Sequence, residues 1–528
     1  MVITPFSNSD TVWKPIPGTS QELALDTRCH HTLYTGARGP GKTETQLMRF
    51  RRRVGVGYGE FWRGIIFDLE YKNLDDLITK SKRIFRKFDD GAIFLESASS
   101  LKWKWPTGEE LLFRAAEGED DYWAYHGHEY PYIGFNELTK YSDPGFYNAI
   151  QSTNRSSYRP EHYPITIDGD AYKQTGQILL VDRHHRNATP HLLPPIPLEV
   201  FSTCNPYGVG HGWVKKQFID PAPYGTVVRR QFEVLDPQTK ETTTVTKTQV
   251  AIFGSYVENP YLDATYIATL HANKNANQKK AWLTGSWDIV AGGAFDDLWD
   301  ANRQVVPRFV VPRGWRLDRS FDWGSSHPFS VGWWAESNGE EAIIIWNGER
   351  YSFCPAAGSL VQIFEWYGAK EDSYNEGLKM SATNVAIGVR EREASLLDNG
   401  WIHSQIWPGP ADNQIRDVRE SDVETIESKM QKQGIAWTQS DKSAGSRKNG
   451  FELFRERLEM ASKGEGPAIY FMENCRASIA SIPVLQRDKD KLDDVDTKTE
   501  DHIWDMVRYR VLKGAKRLAT NVKFSMPT

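Results

Sequence analysis

The stretch HTLYTGARGPGKTETQLMRFRRR, residues 31–53, decides the fold of the first half of the chain. It begins as a short apolar run typical of a buried strand and ends as a helix-like segment. Between them GARGPGKT, residues 36–43, has the G-x-x-x-x-G-K-T spacing of a phosphate-binding loop. The loop amides, including Gly36 and Gly41, would surround phosphate oxygens, Lys42 would add a positive charge, and the Thr43 hydroxyl would ligate Mg²⁺. The pattern therefore predicts a site for ATP and Mg²⁺.

Short apolar runs rich in β-branched and aromatic residues alternate with helix-like segments through the first 205 residues. The runs are HTLYTG, RGIIFDL, GAIFLES, ELLFRAA, YPYIGFNE and PLEVFSTCNP. This alternation predicts an α/β fold in which helices flank a mostly parallel sheet. The Pro- and His-rich stretch at about 156–198 has no periodicity, and we interpret it as a long surface loop.

A second set of strands follows, with RSFDWG, FSVGWWAES and EAIIIWNGERY. Because 528 residues exceed what one hydrophobic core organises, length alone predicts two or three domains. The start of this second set of strands places two, at 1–305 and 306–528. Residues 224–256 alternate in the manner of two strands around a turn, which predicts an antiparallel hairpin. We interpret this hairpin as an insertion or lid, within a lid and linker subregion at about 210–305.

Composition narrows the class of protein. With 39% hydrophobic and 25% charged residues the chain is globular, and at a net charge of −5 any nucleic-acid binding must come from local basic patches. It contains no apolar stretch long enough to span a bilayer and no signal peptide, so we expect a soluble intracellular protein. The scattered cysteines, Cys29, Cys204, Cys354 and Cys475, are expected to be buried, reduced thiols.

An ATPase of this kind needs a carboxylate at the end of a neighbouring buried strand to orient the attacking water. The run YIGFNE supplies Glu137, which we predict to be the catalytic base. Asn136 stands before it, where P-loop enzymes usually have Asp, and a neutral amide holds the Mg²⁺ water shell less strongly. The run IIFD, which ends in Asp68, is a rival for this role but lacks an adjacent Glu.

Other residues near the loop are candidates for contacts with the nucleotide. Arg38, beside Gly39 inside the loop, would stabilise charge on the transferring phosphoryl group, or else lies in solvent or a salt bridge. Gln21, in a Pro- and Gly-rich lead-in, would bond an adenine edge or cap a helix. Thr203 and Asn205 end another apolar run, where polar side chains would sense the γ-phosphate.

Three carboxylates stand out in the second half by their setting. Asp322 ends a strand in SFDWG, Asp412 follows the apolar IWPGPA, and Asp505 lies in the helix-like DHIWDMVRYRVL. Oxygen ligands converging from different elements are what a phosphodiesterase with two Mg²⁺ or Mn²⁺ ions needs. His502 shares a helix face with Asp505 and would reach the same metal site. A turn or cap explains each Asp taken singly, so the prediction depends on the combination.

In this order the segments resemble the large terminase family of tailed bacteriophages over nearly the whole chain. The lead-in with Gln21, the loop with Arg38, the IGFNE strand, TCNP and NPYGVGHGWVKKQFI resemble the packaging ATPase of that family. SFDWG, PGPADNQI and EDHIWDMVRYRV resemble its RNase H-like nuclease. The chain departs from the pattern at Asn136 and in its longer stretch before TCNP.

The resemblance implies an ATPase that drives double-stranded viral DNA into procapsids and a metal-dependent endonuclease that cuts concatemeric DNA. It implies these roles: Lys42 and Thr43 on nucleotide and Mg²⁺, Glu137 as base, Thr203 to Asn205 in coupling, and Asp322, Asp412 and Asp505 as ligands of two Mg²⁺ or Mn²⁺, with His502 nearby. It further implies a portal protein, a small terminase subunit and a homo-oligomeric ring, usually pentameric, in the cytoplasm of an infected bacterium, without a membrane.

Two other functions stay open from the residues alone. A P-loop helicase or repair ATPase whose C-terminal domain only binds nucleic acid would show no metal-dependent cleavage. A structural protein with a nucleotide switch, in which Asn136 marks a lost ATPase, would bind nucleotide without turnover.

Overall fold

The computed structural model describes residues 12–97, 100–236, 239–273, 276–287, 293–370, 375–418, 424–488, 491, 493–497 and 500–519, without the side chains of 276–278 and 514–519. It divides into two compact units, Met1–Ala291 and Gly292–Thr528. The sequence predicted the domain boundary at residue 305. The structure divides the chain earlier, after residue 291, because residues 292–304 belong to the second unit. There the Ala294 amide donates to the Leu485 carbonyl oxygen at 2.8 Å.

The first unit contains the elements that surround the predicted loop. Its strands are β1 (His31–Gly36), β2 (Arg63–Asp68), β3 (Ile93–Leu95), β4 (Lys102–Lys104), β5 (Glu110–Ala115), β6 (Tyr132–Phe135), β7 (Ile165–Asp168), β8 (Ala188–His191), β9 (Glu199–Thr203), β10 (Val228–Leu235) and β11 (Thr242–Gly254). Its helices are α1 (Ser20–Asp26), α2 (Lys42–Arg51), α3 (Leu74–Phe85), α4 (Gly145–Ile150), α5 (Gly169–Thr175), α6 (His211–Val214), α7 (Ala264–His271) and α8 (Ala276–Thr284).

A nine-stranded sheet in the order β10-β11-β1-β9-β6-β2-β5-β4-β3 forms the centre of this unit. The strands from β11 to β5 in this order run parallel. Almost every residue of β1, β6 and β9 is buried, as expected for parallel strands covered by helices on both faces. The predicted mostly parallel α/β fold is confirmed, and the ends of β1, β9 and β6 meet at one edge.

Two segments differ from their interpretation in sequence. The predicted hairpin of β10 and β11 is present, but β11 continues into the central sheet, where Gln249–Gly254 pairs in parallel with β1. The hairpin is therefore attached to the edge of the central sheet, and its interpretation as an insertion or lid stays a prediction. The stretch interpreted as a long loop contains α5 and the antiparallel pair of β7 and β8, which form their own small sheet.

Strands β1 and β11 come unusually close where both end. A Cβ atom on Gly36 would lie 2.2 Å from the carbonyl oxygen of Gly254. Gly36 also has a φ of +123°, in a region that other residues rarely adopt. Glycine at this position thus lets β1 turn into the loop while it remains paired with β11.

The second unit is also mixed. Its strands are β12 (Val305–Val306), β13 (Arg316–Asp322), β14 (Ser330–Glu336), β15 (Ala342–Trp346), β16 (Glu349–Phe353), β17 (Leu360–Tyr367), β18 (Pro410–Ala411), β19 (Thr438–Gln439) and β20 (Ile469–Met472). Its helices are α9 (Ala301–Gln304), α10 (Ala382–Asp398), α11 (Ile426–Gln431), α12 (Ser446–Lys463), α13 (Arg476–Ser481) and α14 (His502–Ala519).

A seven-stranded sheet in the order β12-β20-β17-β14-β13-β18-β19 forms its centre. Strands β13, β14 and β17 are joined antiparallel, whereas β18 and β19 continue parallel to β13. This order, with these directions, is that of an RNase H-like sheet, as predicted. Helix α14 packs across β13 and β14, and it buries Ile503, Trp504 and Val507.

The prediction that the cysteines are buried, reduced thiols is confirmed at three of the four positions. Cys29, Cys204 and Cys475 are buried free thiols. Cys354 is exposed, because it directly follows β16 in a separate two-stranded sheet with largely exposed residues. No helix within the described residues is long and apolar enough to cross a membrane.

Candidate functional site

The predicted phosphate-binding loop connects β1 to α2 at the edge where the parallel strands end. Gly41 precedes α2 with a φ of +91°, and a Cβ atom there would lie 2.6 Å from Nε2 of Gln21. A cavity of about 960 Å³ opens above the loop. Residues that line it include Gln21, Arg38, Gly39, Gly41, Lys42, Thr43, Glu137 and Asn205. The cavity has room for a nucleotide, since ligand cavities measure about 300–1,000 Å³.

Lys42 is buried and its ammonium group bonds to neutral oxygen atoms. Its Nζ donates to the carbonyl oxygen of Ala37 at 2.6 Å and to Oδ1 of Asn205 at 2.9 Å. Burial lowers the pKa of Lys42, although the nearby Glu137 carboxylate opposes this. A buried cation with neutral partners gains strongly from an added anion, so the position suits a phosphate group.

Glu137 follows β6 and is joined to Lys42 through Asn205. The Asn205 amide nitrogen donates to Oε2 of Glu137 at 3.2 Å, and its Nδ2 lies 3.4 Å from both carboxylate oxygens. Thr203, at the end of β9, accepts from the Glu137 amide at 3.4 Å. Glu137 has a φ of +58°, which is uncommon outside glycine and is often found at functional positions.

The rival carboxylate, Asp68, occupies a different environment. It is fully buried at the end of β2, accepts from Nδ2 of Asn136 at 2.7 Å and from Nζ of Lys140 at 2.7 Å. Glu137 lines the cavity, whereas Asp68 is taken up by these two partners. The geometry therefore favours Glu137 over Asp68 as the group near a nucleotide. Sequence reasoning missed Lys140, which lines the cavity and has no motif of its own.

Two other candidates lie on the cavity wall. Gln21, in α1, accepts from the Ile16 amide at 2.9 Å through Oε1. The Arg38 amide donates to the Trp282 carbonyl oxygen at 2.9 Å, and the Arg38 guanidinium carbon lies 3.9 Å from the centre of the Trp282 ring. Arg38 is thus held against an aromatic face by a cation–π contact.

The basic run that ends α2 is largely internal. Arg49 and Arg53 both pair with Glu199, at 2.7 Å and 2.6 Å, and Arg51 pairs with Asp90. A basic run of this kind is commonly a solvated face or a contact for DNA phosphates. Arg49 and Arg51 are neither, because their guanidinium groups are buried against carboxylates.

The three carboxylates of the second unit lie on neighbouring elements. Asp322 ends β13, and Asp412 follows β18, which pairs with β13 through Phe321 and Ala411. Nδ1 of His502 lies 3.3 Å from Oδ2 of Asp322. The Tyr509 hydroxyl donates toward Oδ1 of Asp322 at 3.5 Å and Oδ2 of Asp505 at 3.3 Å.

Buried negative charge is concentrated in this cluster. Burial raises the pKa of Asp322 above its usual range, and the charges of Asp505 and Asp412 add to this against the His502 hydrogen bond. Burial also raises the pKa of Asp501, with a further contribution from Asp505. Carboxylates that share a site in this way favour a nearby cation.

Basic side chains form ion pairs with two of these carboxylates, Asp412 and Asp505. Nζ of Lys442 contacts Oδ1 of Asp412. Arg508 and Arg447 contact Oδ1 of Asp505 at 3.0 Å and 3.4 Å. Across the ranges described above, no group of three or more His, Cys, Asp or Glu side chains is arranged to hold one metal ion.

The donor chemistry of this cluster suits a divalent ion, but its present arrangement does not. The metal roles of Asp322, Asp412, Asp505 and His502 therefore stay predictions. Sequence reasoning missed the surrounding residues. Tyr509 was detectable, because it lies four residues after Asp505 in α14, and Asp501 was detectable, because it directly precedes this helix four residues before Asp505. Lys442 was not, since it lies in a loop without a pattern.

A phosphate-binding loop at the carboxyl edge of a parallel sheet, followed by an acidic cluster on an RNase H-like sheet, defines a two-domain P-loop protein. Residues 33–300 match the family profile described as Terminase large subunit, T4likevirus-type, N-terminal. The match covers more than half of the 528 residues, and the chain belongs to this family.

Solved structures give weaker likenesses. The large terminase of a thermophilic bacteriophage, in complex with ADP, is 14% identical, with a TM-score of 0.35 over 93% of this chain and 98% of that one. The HK97 bacteriophage large terminase is 10% identical, with a TM-score of 0.40 over 97% of each chain. The P22 large terminase nuclease domain is 12% identical, with a TM-score of 0.29 over 42% of this chain and 92% of that one. No curated protein sequence matches this chain.

Proposed function

We propose that this chain is an ATP-driven motor that moves double-stranded viral DNA into procapsids and a metal-dependent endonuclease that cuts concatemeric DNA. The observation that carries the proposal is the connection from Lys42 through Asn205 to Glu137 in the cavity above the loop. It joins a phosphate-binding cation to a carboxylate through one residue, whose side-chain oxygen accepts from Lys42 and whose backbone N–H donates to Glu137. The portal protein, a small terminase subunit and a homo-oligomeric ring are the partners that the family suggests.

ATP hydrolysis follows from the groups around the cavity. Phosphate oxygens replace Ala37 and Asn205 as partners of Lys42, while Arg38 neutralises charge on the transferring phosphoryl group. Thr43 would hold Mg²⁺, which supplies charge neutralisation when bound. Glu137 orients the attacking water. Release of Asn205 by Lys42 alters the segment after β9, and this change couples hydrolysis to movement of DNA.

The nuclease activity is assigned to the second unit. Asp322, Asp412 and Asp505 would hold two Mg²⁺ or Mn²⁺ ions, which activate water and polarise the scissile phosphate when bound. His502 orients Asp322 through their hydrogen bond. Tyr509, between Asp322 and Asp505, keeps these two carboxylates facing one site.

A plasmid cleavage assay tests the proposal. Purified full-length protein is incubated with supercoiled plasmid and Mn²⁺ or Mg²⁺, and wild type is compared with Asp322→Ala and Lys42→Ala. We expect Asp322→Ala to lose cleavage but keep DNA-stimulated ATP turnover, and Lys42→Ala to show the reverse. Equal loss of both activities in both variants would contradict two separate sites.

One observation favours a second candidate, a P-loop ATPase whose C-terminal domain binds nucleic acid without cutting it. Lys442 and Arg508 neutralise two of the supposed metal ligands. This candidate requires ATP turnover by folded wild type with no cleavage at any divalent ion.

A further inference from the structure

The cations on the carboxylate cluster differ from the permanent ion pairs of the same unit. Arg510 and Asp318 form a pair in which both side chains are 1% exposed. The Lys442 side chain is 37% exposed and Arg447 is 31% exposed, although their partners Asp412 and Asp505 are only 9% and 17% exposed. A cation that reaches solvent exchanges its partner more readily than a cation buried with its partner, because water solvates it during the exchange. Lys442 is therefore displaceable, whereas Arg510 is not, and Arg447 is held in addition by Asp494 at 2.8 Å.

A cavity of about 780 Å³ opens beside the cluster, on the side of these cations. Its lining includes Lys442, Arg447, Lys448 and Arg508, together with Asp505. It also includes Asp493 and Asp494, which pair with Lys448 at 2.6 Å and with Arg447 at 2.8 Å. The basic groups of the wall thus have partners, but those partners include the carboxylates that a metal would need.

We propose that this cavity binds a backbone phosphate of duplex DNA and that this binding exchanges cations in the nuclease site. The phosphate draws Lys442 away from Asp412, and the released oxygens of Asp412 then accept divalent metal. The inference rests on the proposed nuclease function. Its consequence is that the metal site is complete only when DNA is in place.

The exchange is balanced in charge. Lys442 moves from one anion, the Asp412 carboxylate, to another, the DNA phosphate, and so it is never left without a partner. Asp412 moves from a single positive charge to a divalent ion, which carboxylate oxygens bind well. Without DNA, metal must compete with Lys442 for the Asp412 carboxylate. With DNA, that competition is removed.

Mn²⁺ binding to the full-length protein tests this exchange. The free Mn²⁺ signal in electron paramagnetic resonance is measured without nucleotide or DNA for wild type, Lys442→Met and Lys463→Met. Lys463 lies at the far end of α12 in an exposed pair with Glu459 and serves as the matched control. Asp412→Asn identifies the binding that belongs to this cluster. We expect Lys442→Met to bind Mn²⁺ about fivefold or more tightly than wild type, the range of a moderate coupling between sites.

The second arm repeats the measurement with a short duplex at low temperature, and a gel afterwards checks that the duplex is intact. We expect the duplex to tighten Mn²⁺ binding in wild type and Lys463→Met, and to have little effect on Lys442→Met. By linkage, Mn²⁺ must tighten duplex binding by the same factor in wild type.

The outcomes separate the inference from the proposed function. Unchanged or weaker Mn²⁺ binding by a folded Lys442→Met variant overturns the exchange, even if wild type cleaves plasmid. Tighter binding by Lys442→Met together with no plasmid cleavage by wild type supports the exchange and overturns the nuclease. Lys442→Gln provides a second variant should Lys442→Met lower the unfolding temperature.

Discussion

The lysines of the two candidate sites differ in the charge of their hydrogen-bond partners. In the first unit, Lys42 bonds to a carbonyl and an amide oxygen, so its charge is not cancelled by a direct ion pair. In the second unit, Lys442 bonds directly to the Asp412 carboxylate. The first site is therefore ready for an anionic ligand, whereas the second is neutralised by its own side chains. On the proposed function, the ATPase site is thus open to its substrate, and the nuclease site is blocked until its lysine is displaced.

The largest expected effect tests whether the first site is poised as described. Glu137→Gln removes the carboxylate while it preserves size, and ATP turnover should fall about 10²- to 10⁴-fold, the usual contribution of a general base. Nucleotide binding, measured by calorimetry, should be retained, because Lys42 and the loop are unchanged. Glu96→Gln, at an exposed carboxylate that pairs with Lys82, is the control. Turnover close to that of wild type in Glu137→Gln would return Asp68 to consideration as the base.

The next prediction compares the buried ion pair of Arg510 and Asp318 with the partly exposed pair of Lys442 and Asp412. Arg510→Met removes the direct ion pair from the buried Asp318 carboxylate and leaves the Lys513 ammonium at 3.4 Å. Loss of the Arg510 guanidinium should lower the free energy of unfolding by about 3 kcal/mol, because breaking a buried ion pair leaves an uncompensated charge. Urea unfolding of the full chain measures this, and Lys442→Met should lie within about 1 kcal/mol of wild type. Similar losses in the two variants would remove the distinction between the pairs.

A smaller effect is expected where Lys42 and Glu137 are joined. Asn205→Ala removes the side-chain bonds to both and keeps the backbone N–H bond to Glu137. The resulting misplacement should lower kcat for ATP by up to about 10²-fold. KM should change less than kcat, because the loop still binds phosphate. A change confined to KM would show that Asn205 binds nucleotide and does not connect the two groups.

The smallest effect concerns pH and the strand that leads into the loop. Nδ1 of His31 lies 2.8 Å from the Tyr147 hydroxyl, and burial, followed by the charge of Lys247, lowers the pKa of His31 to about 3. In the unfolded chain, His31 binds a proton as the pH falls below about 6.5, whereas in the folded chain it stays neutral until about pH 3. The free energy of unfolding therefore decreases as the pH falls from about 6.5 toward 3. Since His31 is only partly buried, we expect about 1 kcal/mol per pH unit at most. Unfolding at pH 7.5 and 5.5 should show a shallower dependence for His31→Gln.

Sequence reasoning succeeded where local pattern and tertiary structure agree. The loop spacing, the strand that ends in Glu137 and the end of β9 were all found, because parallel strands bring their ends to one edge. Asp322 was expected at the end of a strand, and Asp412, expected after an apolar run, follows the short strand β18. Helical spacing placed His502 and Asp505 on the same helix.

Other features depend on contacts between distant segments. No local signal shows that Arg49 would bury itself against Glu199, or that the hairpin strand β11 would extend the main sheet beside β1. The strongest omission is Lys442, which lies thirty positions from Asp412 in the chain and reaches it through a loop. Side chains that meet only after folding leave no spacing to recognise.

The close approach of β1 and β11 has a consequence for genetics. The atom that excludes a side chain at Gly36 is the carbonyl oxygen of Gly254, which every amino acid carries. No substitution at Gly254 is therefore expected to suppress a loss-of-function change at Gly36. Revertants should restore glycine itself, and a selection for growth would return true reversions at this codon.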